Sequence, residues 1–384
     1  MRNYLPMLFL FSLSIFFTGN FDYDKAWKKV DSLLQSGLPE SAAEKIEEIY
    51  SMASKENNVP QQIKATVYLA QVTFDHEELG LENVITDLEE KIENTPSPGK
   101  EVMTSILAEV ISSYYQNQSY IISQRTNLEE RSKDIRTWTP VNFNEYIHEL
   151  YWKSIDEKTK AYETKDFEDI LENAKADFDY RPSLYEVLVD RVLNYYRSSR
   201  YYNLVQETFS INKPEYLSPY AAFADIEINE EGLNNKLNVL KLYESVIQKA
   251  IENEDLKALV NYDLDRLSYV KSSGNISNED SLYLAALDYG YQNIKGEDKL
   301  QYKYKVAEYY KSKGEKVKAV AIANEILDEK PCEIVKALTK NLIIEIERKE
   351  LFIQAEQVVP SNENFLLYVR QMNVEEVFFT LRQA

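Results

Sequence analysis

Amphipathic helical periodicity is the feature that most constrains the fold of this 384-residue chain. Apolar residues recur at intervals of three and four positions in segment after segment, and this spacing gives a helix one apolar face. The chain has only nine glycines, far fewer than an ordinary usage of roughly 7% would give, and glycine is a residue that weakens helix interiors. The pattern predicts a mostly α body of helical hairpins stacked in a layer.

A fixed spacing of small residues adds to this periodicity near residues 300–331. Ala307 and Ala319 stand where two antiparallel helices would touch, and Gly314 stands at the turn between them. Tyr310 follows one turn after Ala307. Pro331 would end the helical conformation before the next helix begins. This spacing resembles the tetratricopeptide repeat of about 34 residues, which implies a helix–turn–helix unit.

A looser copy of the spacing lies near the N-terminus, with Trp27 before Gly37 and Ala42. The interval from glycine to alanine is the same in both copies. Between them the helical segments are irregular, one being predicted at Asp166–Ala176, and no Gly/Ser-rich linker separates them. We expect one continuous tetratricopeptide-like solenoid over residues 21–350. Its repeat-packing residues are expected to be Trp27, Gly37, Ala42, Ala307, Tyr310, Gly314, Ala319 and Pro331.

The N-terminus has the composition of a secretory signal peptide. Arg2 supplies one positive charge, and the apolar run Leu5–Phe17 follows it. This run is shorter than the roughly 20 residues of a membrane-spanning helix and suits a signal peptide. We expect a signal peptide over residues 1–20, cleaved near Gly19 or Asn20, with an uncleaved anchor as the alternative. The chain is then exported to the periplasm or cell envelope, with no membrane insertion after cleavage.

Charge and cysteine content narrow the classes of partner. Sixty-four acidic residues against 44 basic ones give a net charge of −20. Such a polyanion is repelled by phosphate backbones, so we expect no nucleic-acid partner. Cys332 is the single cysteine of the sequence, so an internal disulfide is impossible and packing must hold the exported chain together.

Catalytic motifs are missing from the sequence. His76, expected in a loop, and His148, expected in a helix, do not stand in a metal-ligand spacing. Cys332 has no neighbouring histidine to activate it. Glycine-rich phosphate loops and the G-x-S-x-G elbow do not occur either. We therefore predict a protein that is not an enzyme, with no catalytic, cofactor-binding or metal site, and interpret the 29 tyrosines as packing residues.

The helical pattern ends near residue 350 and short apolar strands follow it. We predict strands over Leu351–Val359, Phe365–Arg370 and Val374–Leu381. Three strands are fewer than the about seven of a β-sandwich, so residues 351–384 are expected to form a partial β domain and the chain to be the front portion of a longer protein. An incomplete sheet leaves an open edge, which predicts self-association or proteolytic clipping near residue 350.

These strands carry a family resemblance. The segments Leu351–Gln357, Phe365–Arg370 and Val377–Phe379, with Pro360 between the first two, are similar to the first β-sandwich of the bacterial (Bacteroidetes-type) alpha-2-macroglobulin proteins. The opening segment Tyr23–Val30 also resembles the start of that family. The resemblance implies a signal peptide and a helical region that lead into a macroglobulin-like domain.

Members of the family are protease traps that use a bait segment and a thioester motif. This sequence has no Cys-Gly-x-x-Gln motif, and Cys332 is followed by Glu333, so the thioester maps onto no residue here. The predicted function is an exported, non-catalytic helical-repeat module that mediates protein–protein contacts as the N-terminal part of an alpha-2-macroglobulin-like protease inhibitor. The alternatives are an independent periplasmic repeat scaffold and, from another class, an α-helical glycan hydrolase that uses scattered carboxylates and tyrosines.

Overall fold

The chain is mostly helical, as the periodicity predicts. The computed structural model describes residues 21–76, 80–126, 131–132, 134–171, 178–198, 209–229, 234–356 and 364–380. Over these residues, helices account for most of the chain and one antiparallel sheet has two strands. The predicted signal peptide at residues 1–20 lies outside the described residues.

The chain divides into two compact units. The first comprises Met1–Thr159 and Asp166–Glu172, and the second comprises Lys160–Lys165 and Asn173–Ala384. Short 3-10 helices lie at Ile135–Thr137, Glu157–Ala161 and Thr164–Ile170. The α-helices described in the first unit are α1 (Tyr23–Gln35), α2 (Pro39–Glu56), α3 (Val59–His76), α4 (Gly80–Asn94), α5 (Gly99–Asn117), α6 (Ser119–Ser123) and α7 (Pro140–Ser154).

Helices that follow one another in the first unit also pack together, from α1 against α2 to α4 against α5, and α5 packs against α7. Gly37 joins α1 to α2 with a φ of +69°, a left-handed conformation that glycine adopts without strain. Trp27 and Ala42 lie in one buried cluster between these helices. The indole of Trp27 donates a hydrogen bond of 2.7 Å to Gln61 on α3, so one aromatic side chain connects three helices.

The second unit continues the helical pattern and ends in the sheet. A 3-10 helix lies at Pro214–Leu217. The elements described in this unit are α8 (Leu184–Arg197), α9 (Tyr220–Ala224), α10 (Asn235–Glu252), α11 (Leu256–Ser273), α12 (Glu279–Asn293), α13 (Lys299–Ser312), α14 (Lys316–Asp328), α15 (Glu333–Glu347), β1 (Glu350–Ala355) and β2 (Leu367–Met372).

The last three helices pack through small residues. Gly314 joins α13 to α14 with a φ of +79°, and Ala307 and Ala319 are fully buried where the two helices meet. Leu342 and Ile346 place the inner face of α15 against this pair. Small side chains allow the close approach of α13 and α14, and α15 packs against the pair.

A buried arginine connects α11 to its neighbours. The Arg266 guanidinium, which is fully buried, is paired with the Asp263 carboxylate and donates to the carbonyl oxygens of Tyr216 at 2.7 Å and Ser218 at 2.9 Å. The Tyr302 hydroxyl on α13 donates to Asp263 at 2.8 Å. These bonds offset the cost of burying the charges, because an unpaired buried charge is strongly destabilising.

Two predicted elements are wrong. The third predicted strand, Val374–Leu381, is not a strand over 374–380, and Leu381 lies outside the described residues. Asn373 explains the difference, because its φ of +55° ends β2 and turns the chain out of the extended conformation. The predicted helix Asp166–Ala176 is a 3-10 helix at Thr164–Ile170 in its described part. The continuous solenoid over residues 21–350 and the macroglobulin-like nature of the strands stay predictions.

Candidate protein-interaction surface

The two-stranded hairpin β1–β2 has one apolar face. Ile353 pairs with Val369 and Ala355 with Leu367, and Leu351 belongs to the same face because side chains alternate along a strand. Leu351, Ile353 and Leu367 keep 47%, 46% and 38% of their surface exposed. An apolar sheet face is normally covered by a second layer, so this face is a candidate contact surface.

The opposite face is aromatic and basic. Phe352 pairs with Arg370, whose guanidinium lies 5.6 Å from the centroid of the Phe352 ring. Tyr368 meets the same ring edge-on, with 6.1 Å between the ring centroids. The two faces therefore differ in chemistry, and a partner would contact them with different side chains.

Both outer edges of the hairpin are open in the described part of the chain, since the sheet contains β1 and β2 alone. Each edge presents backbone N–H and C=O groups that can pair with another strand. An isolated two-stranded hairpin is at best marginally stable in water without further strands or a packed face. The open edges and the exposed apolar face thus belong to one incomplete structure.

A side-chain clamp attaches the hairpin to α15. The Asn373 amide donates to the carbonyl oxygens of Ile346 at 2.7 Å and Arg348 at 3.0 Å. Carbonyls in the last turn of a helix have no partner within the helix, so the amide satisfies acceptors that would otherwise need water. The hairpin is thereby held by the end of the helix as well as by the short connection after it.

A pocket of about 830 Å³ lies at the base of the hairpin. Its apolar part comes from Leu351, Phe352 and Met372, and Lys349 and Arg370 bring positive charge to it. Sequence analysis did not identify these two cations. The only available signal was that β2 contains an arginine and no acidic residue.

The outer face of α15 carries three exposed apolar side chains among charged and polar ones. Ile334, Leu338 and Ile344 keep 60%, 42% and 63% of their surface exposed, while Val335 and Leu342 on the inner face are buried. The three exposed side chains add apolar surface to the second unit.

The residues predicted to pack the repeats fall into two separate clusters. Trp27 and Ala42 are together in the first unit, beside the turn at Gly37. Ala307 and Ala319 are together in the second, with Tyr310 half-buried against them. The remaining two positions are Gly314 in the turn between α13 and α14 and Pro331, which is buried just before α15.

The first unit has a groove of about 650 Å³ between α4, α5 and α7. Glu89 accepts a hydrogen bond of 2.7 Å from the Tyr146 hydroxyl, and Glu101 accepts one of 2.8 Å from Ser97. A glycan hydrolase would need two carboxylates that flank the scissile bond, and here Glu89 and Glu101 each accept a hydrogen bond from a hydroxyl of the protein. Four acidic residues line the groove beside three lysines, so the lining carries both signs of charge. These lysines are Lys100, Lys153 and Lys158.

A buried ion pair lies on the facing sides of α8 and α10, and sequence analysis missed it. The Lys249 ammonium lies 2.5 Å from the Glu186 carboxylate, with side-chain exposures of 7% and 2%. Ser183 donates to the same carboxylate through its backbone N–H at 3.0 Å, which caps α8. Every charge here has a partner within the second unit, so the arrangement supports packing and offers no free group for chemistry.

The histidines are not arranged as a site. His76 is the last residue of α3, so the predicted loop position is wrong. His148 lies in α7, where burial lowers its pKa to about 4 and keeps the imidazole neutral at physiological pH. In the parts of the chain that the structure describes, no group of three or more His, Cys, Asp or Glu side chains could hold a metal ion.

Comparison with known proteins gives no relative: no family model, no curated protein and no solved structure matches this chain. Among the described residues, none of the helices combines the length and apolarity needed to cross a bilayer.

Proposed function

We propose that this protein is a non-catalytic helical module that makes protein–protein contacts, and that its hairpin joins a β-sheet of the partner. The exposed apolar face around Ile353, combined with two open strand edges, is the observation that carries the proposal. An added strand would satisfy the free backbone groups, and an apolar side chain of the partner would cover the face.

The helical body gives the hairpin a fixed position. The Asn373 clamp ties it to α15, and Leu342 and Ile346 tie α15 to the pair α13–α14. A presented strand that is already ordered loses less conformational entropy on binding than a flexible tail would. This arrangement suits a module whose role is to display a strand pair.

The proposal includes the context expected from the sequence. The protein is exported to the periplasm or cell envelope, and the hairpin contributes the first strands of a macroglobulin-like sandwich in an alpha-2-macroglobulin-type inhibitor. The order of helices followed by alternating strands supports this context, as does the apolar face, which has the pattern of an inner sandwich layer.

Site-specific photo-crosslinking tests the proposal. A photoreactive amino acid replaces Ile353 in the full chain, produced in the organism that encodes it, and crosslinked peptides are identified by mass spectrometry. We expect the crosslinks to map to a β-strand in the partner. Val67, which is 41% exposed on α3 of the first unit, is the matched control position. Equal crosslinking at both positions, or crosslinks from Ile353 that map outside strands, would overturn the proposal.

A further inference from the structure

We infer that the partner strand is acidic and pairs with the outer edge of β2. This inference rests on the proposed function and adds the edge and the charge of the partner. It is carried by three cations at the base of the hairpin that have no carboxylate partner among the described residues. These cations are Lys316, Lys349 and Arg370.

The position of each cation is defined by a contact. Lys349 and Arg370 line the pocket of about 830 Å³. The Lys316 ammonium, on α14, lies 3.5 Å from the Met372 sulfur at the end of β2. A third cation that lines the pocket, Arg348, is paired with Glu350 and is therefore already neutralised.

The edge of β2 is the more basic of the two. Along β2, Tyr368, Arg370 and Met372 share one face, and Lys316 reaches the last of them. No acidic residue occurs in β2, whereas β1 begins with Glu350. A strand added to β2 would place a side chain about 5 Å from Arg370 between Cβ atoms, near enough for direct charge pairing.

Strand geometry then fixes the pattern of the partner. Side chains two positions apart are about 7 Å apart along a strand and lie on the same face. Acidic residues at alternate positions would face Arg370 and Lys316, while the residues between them would be apolar and extend the face of Ile353 and Leu367. The partner strand therefore alternates acidic and apolar residues.

The net charge of the whole chain supports the inference. With a net charge of −20, the chain repels acidic proteins in general. Arg370 in β2 and Lys316 beside its last residue make this edge the favourable place for an acidic strand to approach. Basic residues on an edge can also protect it from unwanted pairing, and in that role they would reject strands of either charge.

The test uses three ten-residue peptides in which valine alternates with glutamate, lysine or threonine. Each carries a fluorophore and is titrated with the full chain while anisotropy is recorded. We expect the glutamate peptide to bind at least about tenfold more tightly than the lysine peptide, because opposite charges across strands stabilise and like charges destabilise. Its affinity should also fall as the salt concentration rises.

Charge-reversal variants complete the test. Arg370→Glu and Lys316→Glu each change an exposed side chain. Each should lower the affinity for the glutamate peptide and raise the affinity for the lysine peptide. The matched control is Lys28→Glu, an exposed lysine on α1 of the first unit, which should leave both affinities unchanged. Circular dichroism checks that all variants keep their helical content.

The outcomes separate the two proposals. Equal binding of all three peptides would overturn the charge inference and leave strand addition intact. Binding of none of them would count against strand addition itself, and with it against the inference. A loss of affinity in Lys28→Glu as large as in Arg370→Glu would assign the effect to net charge and overturn the role of the β2 edge.

Discussion

The side-chain amide of Asn373 donates a hydrogen bond of 2.7 Å to the carbonyl oxygen of Ile346, across the junction between the sheet and α15. The same residue has a φ of +55°, so it ends β2 and clamps the hairpin at a single position. This double use explains why the chain after residue 373 leaves the extended conformation that its apolar residues would favour. One side chain therefore both ends β2 and ties the hairpin to α15.

Asn373→Gly should loosen the hairpin without straining the backbone. Glycine keeps the left-handed conformation but removes both hydrogen bonds, each worth about 1 kcal/mol. Amide hydrogen exchange in β1 and β2 should then become faster by roughly fivefold or more, which mass spectrometry measures. The control is Asn57→Gly, where φ is +54° at the end of α2. Unchanged protection of the hairpin in Asn373→Gly would show that the clamp does not hold it.

Gly290→Ala should destabilise the second unit even though alanine is the better helix former. A Cβ atom at this position in α12 would lie 2.3 Å from Cε1 of Tyr302, whose hydroxyl is held by Asp263. Overpacking of this kind costs about 1–3 kcal/mol. Urea denaturation gives the free energy of unfolding, and Tyr302→Leu in the same chain should make the added methyl less costly. A more stable Gly290→Ala protein would contradict the prediction.

Lys249→Met should cost about 3–5 kcal/mol, because it leaves the Glu186 carboxylate buried without its counter-charge. The matched control is Lys257→Met, which breaks the exposed pair with Asp179 and should change stability by less than about 1 kcal/mol. Replacing Glu186 by leucine together with Lys249→Met should recover part of the loss. Equal effects of the two lysine substitutions on urea denaturation would argue against an energetic role for burial.

Sequence reasoning succeeds here where the signal is local. Helical periodicity located most of the helices, and the spacing of Gly314 and Ala319 predicted a turn followed by a helix contact, because both depend on neighbouring residues. The short apolar segments after residue 350 likewise predicted the strands β1 and β2. The prediction of a third strand failed because it assumed that apolar residues would continue the sheet, whereas the Asn373 conformation depends on acceptors at the end of α15.

The buried charges show what local sequence patterns cannot predict. Glu186 and Lys249 are separated by 63 positions, so no window of sequence brings them together. Asp263 and Arg266 stand three positions apart, a spacing that is common on solvated helix faces. Only the packing of α11 against Tyr302 and the carbonyl of Tyr216 distinguishes this buried pair from an exposed one. The basic cluster at the base of the hairpin could not be predicted either, because Lys316 approaches Met372 from another helix.

Glu244 should make stability fall as the pH rises from about 4.5 to 7. Burial, with a further contribution from Glu227, raises its pKa to about 7 from an ordinary 4.5. The folded state then binds this proton more tightly than the unfolded state, so the contribution is present below pH 4.5 and is lost through pH 7. Glu244→Gln should flatten this part of the stability profile measured by urea denaturation. An unaltered slope in Glu244→Gln would contradict the assignment.

The isolated protein should self-associate through its hairpin, since without a partner the apolar face around Ile353 and the open strand edges remain in water. Size-exclusion chromatography with light scattering should show a mass that increases with concentration. Ile353→Glu, which places a charge on that face, should restore the monomer, and Val67→Glu, at a similarly exposed position in the first unit, should not.

Limited proteolysis should cut near residue 350 more readily in Ile353→Glu than in the parent, because association protects the junction. A monomeric parent protein at high concentration, or equal masses for the parent and Ile353→Glu, would show that this surface does not pair with a second copy.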